Sequence, residues 1–388
     1  MNTDTAHILF ASRSLPLHAL GGMEMISWDL ARQFVKDGLL VTFLTTEIPG
    51  KPERFMLDGV NVVALKGTRP GRYSRQWWKK SRDYFEKSLA SNVSIVFSVS
   101  AAAYSLMHSA HAIPVILQAH GTSIGEIKSK WKTLSLKAIL ASLRNIYWLG
   151  KDLFYYAKFR EIVAIGDAVV KDLQQFPISL VLPPGKVHLI CNGVDHQLFL
   201  PDEHQRKQMR QSLGFLPETK ILISVSRLHR QKGVDSALKA FAEYAKRNPM
   251  AHYLILGSGP ERLLLERLAK QLKVDQQVSF LGVVPRNQLN QYLAVADVFL
   301  FTTKRREGLP LNILEALAAG LPVILSKQLE NTLDTKEGIY AVDPDDVLAV
   351  ANVIDQVLMN IAAVRNSWLP ERFTLQFCAK KYYEIFKR

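Results

Sequence analysis

Two carboxylates, Glu307 and Glu315, lie eight residues apart around the start of a short apolar helix pattern. Gly308 favours a loop before this helix, Pro310 suits the first helical position, and Gly320 suits the position just past the end. A loop before a helix N-terminus presents free backbone N–H groups to an anion, and carboxylates accept hydrogen bonds from hydroxyls. The pattern therefore predicts a site for a ligand that carries both phosphate and hydroxyl groups.

Two cations five residues apart, Arg227 and Lys232, flank the junction between a strand pattern and the next helix pattern. A guanidinium can grip two phosphate oxygens at once, and an ammonium neutralises charge. The alternative is a pair of solvated surface cations. Because both residues border one strand-to-helix junction, we favour a diphosphate site.

Glycines and one histidine mark further strand ends. Gly21 and Gly22 fit either a phosphate-binding turn or an ordinary strand-to-helix turn. Gly257 opens half of the dinucleotide fingerprint G-x-G-x-x-G, but Arg262 stands at the third glycine position, which favours a tight turn. His120 follows a strand pattern, where it would either bond a substrate hydroxyl or phosphate, or be a satisfied polar residue in the wall between domains.

Short β-rich segments alternate with amphipathic helix patterns along the chain, which predicts parallel sheets with right-handed crossovers. The strand patterns form two series and predict an α/β protein of two doubly wound, Rossmann-like domains facing a cleft. The expected boundaries are 1–195 for the N-terminal domain, 196–369 for the C-terminal domain and 370–388 for a final helix that packs back on the N-terminal domain. Such domains bind ligands at the carboxyl ends of their strands.

Composition agrees with this organisation, since 388 residues suffice for two domains of roughly 100–200 residues each. The two cysteines, Cys191 and Cys378, lie far apart and fit a reducing compartment. We find no signal-peptide pattern and no run of about 18 charge-free apolar residues. We expect a cytoplasmic protein. Peripheral attachment to the inner face of the membrane is a further expectation, which depends on the basic segments described next.

The formal charge of +14 is concentrated in two segments, 66–87 and 126–160, each with eight basic residues against two acidic ones. Interleaved aromatic residues favour contact with an anionic membrane surface or a phosphorylated acceptor. The alternative is two solvated helix faces with their aromatic residues in the core. Nucleic acid is not expected, because no recognised binding module is present. The candidate acceptor or membrane residues are Arg72, Arg75, Trp77, Trp78, Lys79, Lys128, Lys130 and Trp131.

Taken in order, these motifs resemble the retaining nucleotide-sugar glycosyltransferases of family 4, which have the glycosyltransferase B fold. The resemblance covers nearly the whole chain, and the pair of glutamates is its most specific part. A departure follows Leu325, where the family commonly has a glycine-containing loop but this chain has no glycine until Gly338. The motifs are Gly21-Gly22, His120-Gly121, 192–195, Arg227 with Lys232-Gly233, 257–260, and Glu307 with Glu315.

The resemblance implies a UDP- or GDP-hexose donor, no metal and no cofactor. It implies that Glu315 binds the ribose, that Glu307 binds the transferred sugar, and that Arg227 and Lys232 bind the diphosphate. His120 would face the donor sugar. The implied catalytic residues are Glu307, His120, Arg227 and Lys232. The implied donor-binding residues are Gly21, Gly22, Arg227, Lys232, Gly257, Glu307, Gly308, Leu309, Pro310, Leu311, Asn312 and Glu315.

The activity so implied is transfer of a hexose, with retention, to a glycan or lipid-linked acceptor in cell-surface polysaccharide or lipopolysaccharide synthesis. One alternative is a nucleotide-sugar epimerase of the same architecture, which would need no acceptor. Another is a non-catalytic protein that binds sugar nucleotides or membranes. The sequence carries no signal for the oligomeric state.

Overall fold

A computed structural model describes residues 6–19, 21–110, 112–131, 136–304, 309–333, 335–360 and 365–388, with side chains except at 129–131, 136–141, 143 and 331. The strands are β1 (His7–Ala11), β2 (Leu40–Thr46), β3 (Arg54–Leu57), β4 (Val60–Leu65), β5 (Ile95–Val99), β6 (Val115–Ala119), β7 (Glu161–Ala164), β8 (Val187–Leu189), β9 (Ile221–Val225), β10 (His252–Leu256), β11 (Val278–Gly282), β12 (Val298–Phe301), β13 (Val323–Ser326) and β14 (Ile339–Val342). The α-helices are α1 (Gly22–Lys36), α2 (Arg75–Ser88), α3 (Ser123–Trp131), α4 (Leu136–Tyr156), α5 (Asp167–Leu173), α6 (Glu203–Ser212), α7 (Val234–Ala245), α8 (Arg262–Gln271), α9 (Arg286–Val295), α10 (Leu311–Ala318), α11 (Val347–Met359) and α12 (Leu375–Phe386).

The chain forms two compact units, one of Met1–Gly193 with Leu375–Arg388 and the other of Val194–Thr374. The first crossing lies two residues before the boundary expected from the sequence. The second crossing leaves 370–374 in the second unit, so that only α12 returns to the first. Val194 donates a backbone hydrogen bond to Phe373 at 2.9 Å, which joins the two crossing segments within the second unit.

The sheet of the first unit has eight strands within the described residues, in the order β3-β4-β2-β1-β5-β6-β7-β8. All pairs are parallel except β3 with β4, an antiparallel hairpin that we did not predict. Its two-residue turn is Asp58-Gly59, both with positive φ (51° and 79°). An Asp-Gly pair between two apolar segments is a strong hairpin signal, so the sequence did contain the information for β3.

Helix α12 contributes to the core of the first unit. The ring of Tyr382 meets that of Phe34 on α1 edge-on at 6.3 Å, and that of Phe97 on β5 at 5.3 Å. The Sγ of Cys378 lies 3.1 Å from the carbonyl oxygen of Cys191. The C-terminal helix is therefore packed against both α1 and the sheet.

The second unit contains a parallel sheet of six strands among the described residues, in the order β11-β10-β9-β12-β13-β14. This is the doubly wound order, which reverses direction between β9 and β12. In the first unit the corresponding reversal lies between β1 and β5. The predicted pair of Rossmann-like α/β units is confirmed, and each reversal marks the place where such a sheet binds ligands.

Across the described part of the chain, no helix has both the length and the apolarity needed to cross a membrane.

Candidate functional site

The loop after β9 carries Arg227 to the reversal point of the second unit, where its side chain is exposed. Two glycines press against the backbone of this loop. A Cβ on Gly257, where φ is 132°, would lie 1.8 Å from the carbonyl oxygen of Ser226, and one on Gly259 would lie 2.2 Å from that of Leu228. Leu228 also donates a backbone hydrogen bond to Ser258 at 2.9 Å. This geometry agrees with the tight-turn interpretation of the glycine motif and makes the motif a support for the Arg227 loop.

Lys232 lies on the β12 side of the same reversal point. Gly233 adopts φ of 67°, and a Cβ there would lie 1.8 Å from the carbonyl oxygen of Thr302. The hydroxyl of Thr302 donates to the carbonyl of Gly233 at 2.8 Å. The ammonium of Lys232 lies 5.4 Å from the ring centroid of Phe301, the last residue of β12. Both predicted cations therefore lie at the carboxyl ends of the strands that flank the reversal.

Helix α10 begins at Leu311. Pro310 therefore occupies the N-cap position, one residue before the first helical position that was predicted for it. The side-chain amide of Asn312 donates to the carbonyl of Val225 at 2.5 Å, which ties the helix start to β9. At the other end Gly320 has φ of 67°. Leu321 donates to Ala316 at 3.0 Å, as in a Schellman motif. The predicted stop at Gly320 is confirmed.

Glu315 is buried on α10, with 6% of its surface exposed. Its Oε1 lies 3.5 Å from the Nη2 of Arg286, the first residue of α9. Arg286 was not among the predicted residues, although its place just after β11 was a signal that it lies at the carboxyl edge of the sheet. Glu307 and Gly308, which were predicted to bind the donor, lie outside the described residues.

At the start of α1, Gly21 caps the helix and Gly22 is its exposed first residue. The buried carboxylate of Glu24 accepts a hydrogen bond from the hydroxyl of Ser14 at 2.7 Å. A Cβ on Gly21 would lie 2.3 Å from Oε2 of Glu24. A side chain at position 21 would displace this carboxylate, which lies beside the N-terminus of the helix.

His120 follows β6 and is partly buried. Its Nε2 lies 2.8 Å from the side-chain oxygen of Gln118. Burial lowers the pKa of His120 from 6.5 to about 3. The imidazole is therefore neutral at physiological pH.

An aromatic and cationic cluster, here called the aromatic cluster, is formed by Arg13, Tyr73, Trp78, Trp148 and Lys151. Tyr73 stacks on Trp78 with centroids 4.9 Å apart, and Trp148 lies 5.8 Å from Tyr73. The guanidinium of Arg13 is 5.4 Å from the Tyr73 ring, and the ammonium of Lys151 is 5.2 Å from the Trp148 ring. Arg13 lies just beyond β1, which places the cluster at the carboxyl edge of the first sheet.

The predicted acceptor or membrane residues divide into several groups. Arg72, Arg75 and Lys79 are exposed. Trp77 has no exposed surface and packs in the core, so its prediction as a contact residue was wrong; of the two adjacent tryptophans only Trp78 reaches the surface. The ammonium of Lys128 lies 3.5 Å from Asp172. The side chains of Lys130 and Trp131 lie outside the described residues.

Both halves of the chain match glycosyltransferase family models. Residues 20–198 match Glycosyltransferase Family 4, and residues 205–368 match Glycosyl transferases group 1. The chain belongs to this family of glycosyltransferases. The predicted membership among the family 4, group 1 glycosyltransferases is thereby confirmed, and the chain is placed among the transferase enzymes.

Among relatives of this glycosyltransferase is the GDP-mannose-dependent alpha-(1-6)-phosphatidylinositol monomannoside mannosyltransferase of Mycolicibacterium smegmatis. The two are 35% identical over 185 residues, which are 45% of this chain and 48% of the relative. The chain aligns with about half or less of the length of the first curated relatives that it matches.

Two solved structures share the fold. Sucrose-phosphate synthase from Thermosynechococcus elongatus superposes with a TM-score of 0.73 at 19% identity, over 99% of this chain and 98% of that one. HepE of Anabaena, in complex with UDP-glucose, gives a TM-score of 0.70 at 17% identity, over 98% and 99%. The likeness confirms the glycosyltransferase B fold.

Proposed function

We propose that this protein transfers a hexosyl group from a nucleoside diphosphate hexose to a hydroxyl of a glycan or lipid-linked acceptor. The observation that carries the proposal is the joint placement of Arg227, Lys232 and Glu315 around the reversal point of the second sheet. Two cations and a buried carboxylate there suit a ligand with a diphosphate and a ribose. The named relative depends on GDP-mannose, and the Anabaena structure holds UDP-glucose, which supports a UDP- or GDP-hexose as donor.

Each side chain is given a role that follows from its chemistry. Arg227 and Lys232 bind the diphosphate and stabilise the charge that builds on it as the bond to the anomeric carbon breaks. Glu315 accepts hydrogen bonds from the ribose, with Arg286 holding its carboxylate in place. Glu307 binds hydroxyls of the transferred sugar, as the family resemblance implies.

In the proposed reaction the bond between the anomeric carbon and the diphosphate oxygen breaks, and its electron pair goes to the diphosphate. An acceptor oxygen bonds to the anomeric carbon, and its hydroxyl proton passes to the departing diphosphate. The family resemblance favours retention of configuration. The neutral ring of His120 keeps a lone pair that can accept a hydrogen bond from a hydroxyl without adding a positive charge. No step requires a metal, and none is assigned.

The acceptor is proposed to bind the first unit. The half-buried rings of the aromatic cluster offer apolar faces to a sugar, and Arg13 and Lys151 offer charge to an anionic group. The ring of exposed Tyr147 on α4 (62% exposed) lies 5.0 Å from the ammonium of Lys151, and the ring of exposed Phe154 (56%) lies 3.9 Å from that of Lys158. This combination supports a lipid-linked or phosphorylated acceptor and peripheral attachment to an anionic membrane. Cell-surface polysaccharide or lipopolysaccharide synthesis is the setting that we propose.

The proposal is tested by titrating the protein with UDP-glucose, UDP-N-acetylglucosamine and GDP-mannose in a calorimeter. We expect one donor to bind clearly more tightly than the others and Arg227→Ala to weaken that binding. Lys239→Ala is the matched control, because Lys239 is an exposed cation on α7 away from the crevice. Absence of binding by all nucleotide sugars would contradict the proposed function.

Products with the selected donor are then identified by mass spectrometry, with and without a lipid extract as acceptor. If the protein is a transferase, a new glycoside should appear only when the lipid extract is present. Conversion of the donor without acceptor would instead indicate an epimerase.

A further inference from the structure

A cavity of about 550 Å³ opens at the amino edge of the first sheet. Its lining includes Val115, the first residue of β6, and Arg160, the residue before β7. A volume of this size is within the range of about 300–1,000 Å³ that is usual for small-molecule sites. The acceptor site that we propose lies at the opposite, carboxyl edge of the same sheet. A ligand in this cavity would therefore be neither the donor nor the acceptor of the transfer reaction.

The charged groups of the lining are basic. Lys158 and Arg160 are exposed cations, and His108 is exposed in the same lining. Among the lining residues that the structure describes, none is acidic. Charge complementarity therefore favours an anionic ligand.

Both cations keep hydrogen-bond donors for such a ligand. The guanidinium of Arg160 donates to the carbonyl of Arg388, which uses one of its N–H groups and leaves others of the planar fork. The ammonium of Lys158 lies 3.9 Å from the ring centroid of Phe154, a contact that orients it without an acceptor atom. A guanidinium that can grip two oxygens beside an ammonium that neutralises charge suits a phosphate group.

Apolar surface adjoins these cations. Ile113 and Pro114 are half-buried in the wall of the cavity, and Val115 is buried. The ring of Phe154, beside Lys158, has 56% of its surface exposed. A phosphate that is covalently joined to apolar chains is the chemistry of a phospholipid, and it matches a cationic site with apolar neighbours.

We propose that this cavity binds the phosphate headgroup of an anionic phospholipid, with Arg160 and Lys158 on the phosphate oxygens and Phe154 against the apolar part of the lipid. The charge is specified because the described lining offers cations to a second anionic or neutral group and no acid to a headgroup ammonium. The proposal concerns binding only, so it does not rest on the transfer activity.

Calorimetric titration of the full-length protein with dihexanoyl-phosphatidylglycerol, below its micelle concentration, tests the site without a membrane surface. Wild type should bind this lipid, and it should bind dihexanoyl-phosphatidylcholine clearly more weakly, because the choline cation meets two cations. Glycerol 3-phosphate is the arm for a soluble phosphate ester. If it bound as tightly as the lipid, the lipid part of the proposal would be wrong.

A pair of matched variants tests whether this cavity is the site. Ala112 is an exposed residue of the lining. Ala112→Glu adds an acid there, whereas Ala112→Gln adds an uncharged group of the same size, so only the first should abolish binding. Equal binding by the two variants, or no binding by wild type, would overturn the proposal.

A second comparison tests the cations. Lys158→Gln should weaken lipid binding about fivefold, as expected for one cation near a phosphate, and Lys239→Gln on α7 should leave it unchanged. Equal affinities of these two variants would count against the site. Donor binding measured on the same samples should be unaffected, so that its failure in wild type would contradict the proposed function alone.

Discussion

At the carboxyl ends of β9 and β12, the two cations proposed to bind the diphosphate differ in their exposure. Arg227 is exposed, whereas Lys232 is partly buried over the ring of Phe301. An ammonium that is already partly desolvated stabilises a developing anion more strongly than a fully hydrated one, because the local dielectric is lower. A variant of Lys232 is therefore a stronger test of the proposed catalytic role than a variant of Arg227.

We expect Lys232→Ala to lower kcat by about 10²–10³-fold, the usual effect of removing one preorganised group that stabilises the transition state. Steady-state kinetics with the selected donor measure this effect. Lys239→Ala, on the exposed face of α7, should leave kcat unchanged. Equal losses in the two variants would contradict a specific role for Lys232.

Buried histidines give the fold a pH dependence. Burial lowers the pKa values of His120, His7 and His252. The unfolded chain binds protons below about pH 6.5 that these folded rings do not bind, so stability falls as pH drops from 6.5 toward 3. His120 alone should account for about 2 kcal/mol between pH 7 and pH 5.

Thermal unfolding at pH 7 and pH 5 measures this loss, and His120→Asn should make it smaller. His204→Asn is the control, because His204 is exposed on α6 and solvated in both states. A pH dependence that is the same in His120→Asn as in wild type would show that this ring is not the cause.

At the scale of elements, one buried carboxylate holds several segments of the second unit together. Asp297, between α9 and β12, has 5% of its surface exposed and accepts from the backbone of Ile221 at 2.7 Å. Its oxygens also contact three guanidinium groups, those of Arg206 at 2.6 Å, Arg210 at 3.4 Å and Arg365 at 3.1 Å. Arg206 additionally bonds the carbonyl of Ala294 at 2.7 Å, near the end of α9.

Asp297→Asn should destabilise the second unit by about 3–5 kcal/mol, because it leaves buried guanidinium groups without their counter-charge. Differential scanning calorimetry detects this as a lower unfolding temperature. Asp275→Asn, at an exposed position before β11, should change it little. If both variants unfolded at the temperature of the wild type, Asp297 would not be a structural centre.

On the scale of the whole molecule, the net charge of +14 affects which partners the protein attracts, and it does not determine the fold. Helix α2 exposes Arg75, Lys79 and Arg82, while its Trp77 and Phe85 are buried. The helix therefore has one face in the core and one cationic face toward solvent. A surface of this kind attracts anionic lipid, and the attraction weakens as salt is added.

Vesicles containing phosphatidylglycerol should sediment with the protein at low salt and release it at high salt. Replacing Arg75, Lys79 and Arg82 together with Gln should weaken binding about 100-fold, since each cation near the surface contributes about 1 kcal/mol. The control replaces three exposed lysines of the second unit, Lys239, Lys246 and Lys270. No binding by wild type at low salt would rule out the membrane proposal.

Sequence alone determined the features that depend on neighbouring residues. The alternation of strands and helices indicated two parallel α/β units, because a parallel sheet requires a crossover after each strand. Gly320 marked the end of α10, because its φ of 67° is a conformation that glycine adopts without strain. Arg227 and Lys232 were placed at one sheet edge for the same local reason, since each borders a strand end.

The tertiary structure decided what depends on packing between distant segments. Arg286 contacts Glu315 because helices α9 and α10 bring them together. Tyr382 contacts Gln118 because α12 packs on the sheet that contains β6. The adjacent Trp77 and Trp78 have different roles because α2 turns one toward the core and leaves the other partly exposed. Local sequence patterns do not indicate which distant segments will pack together. Burial and long-range hydrogen bonds depend on that packing.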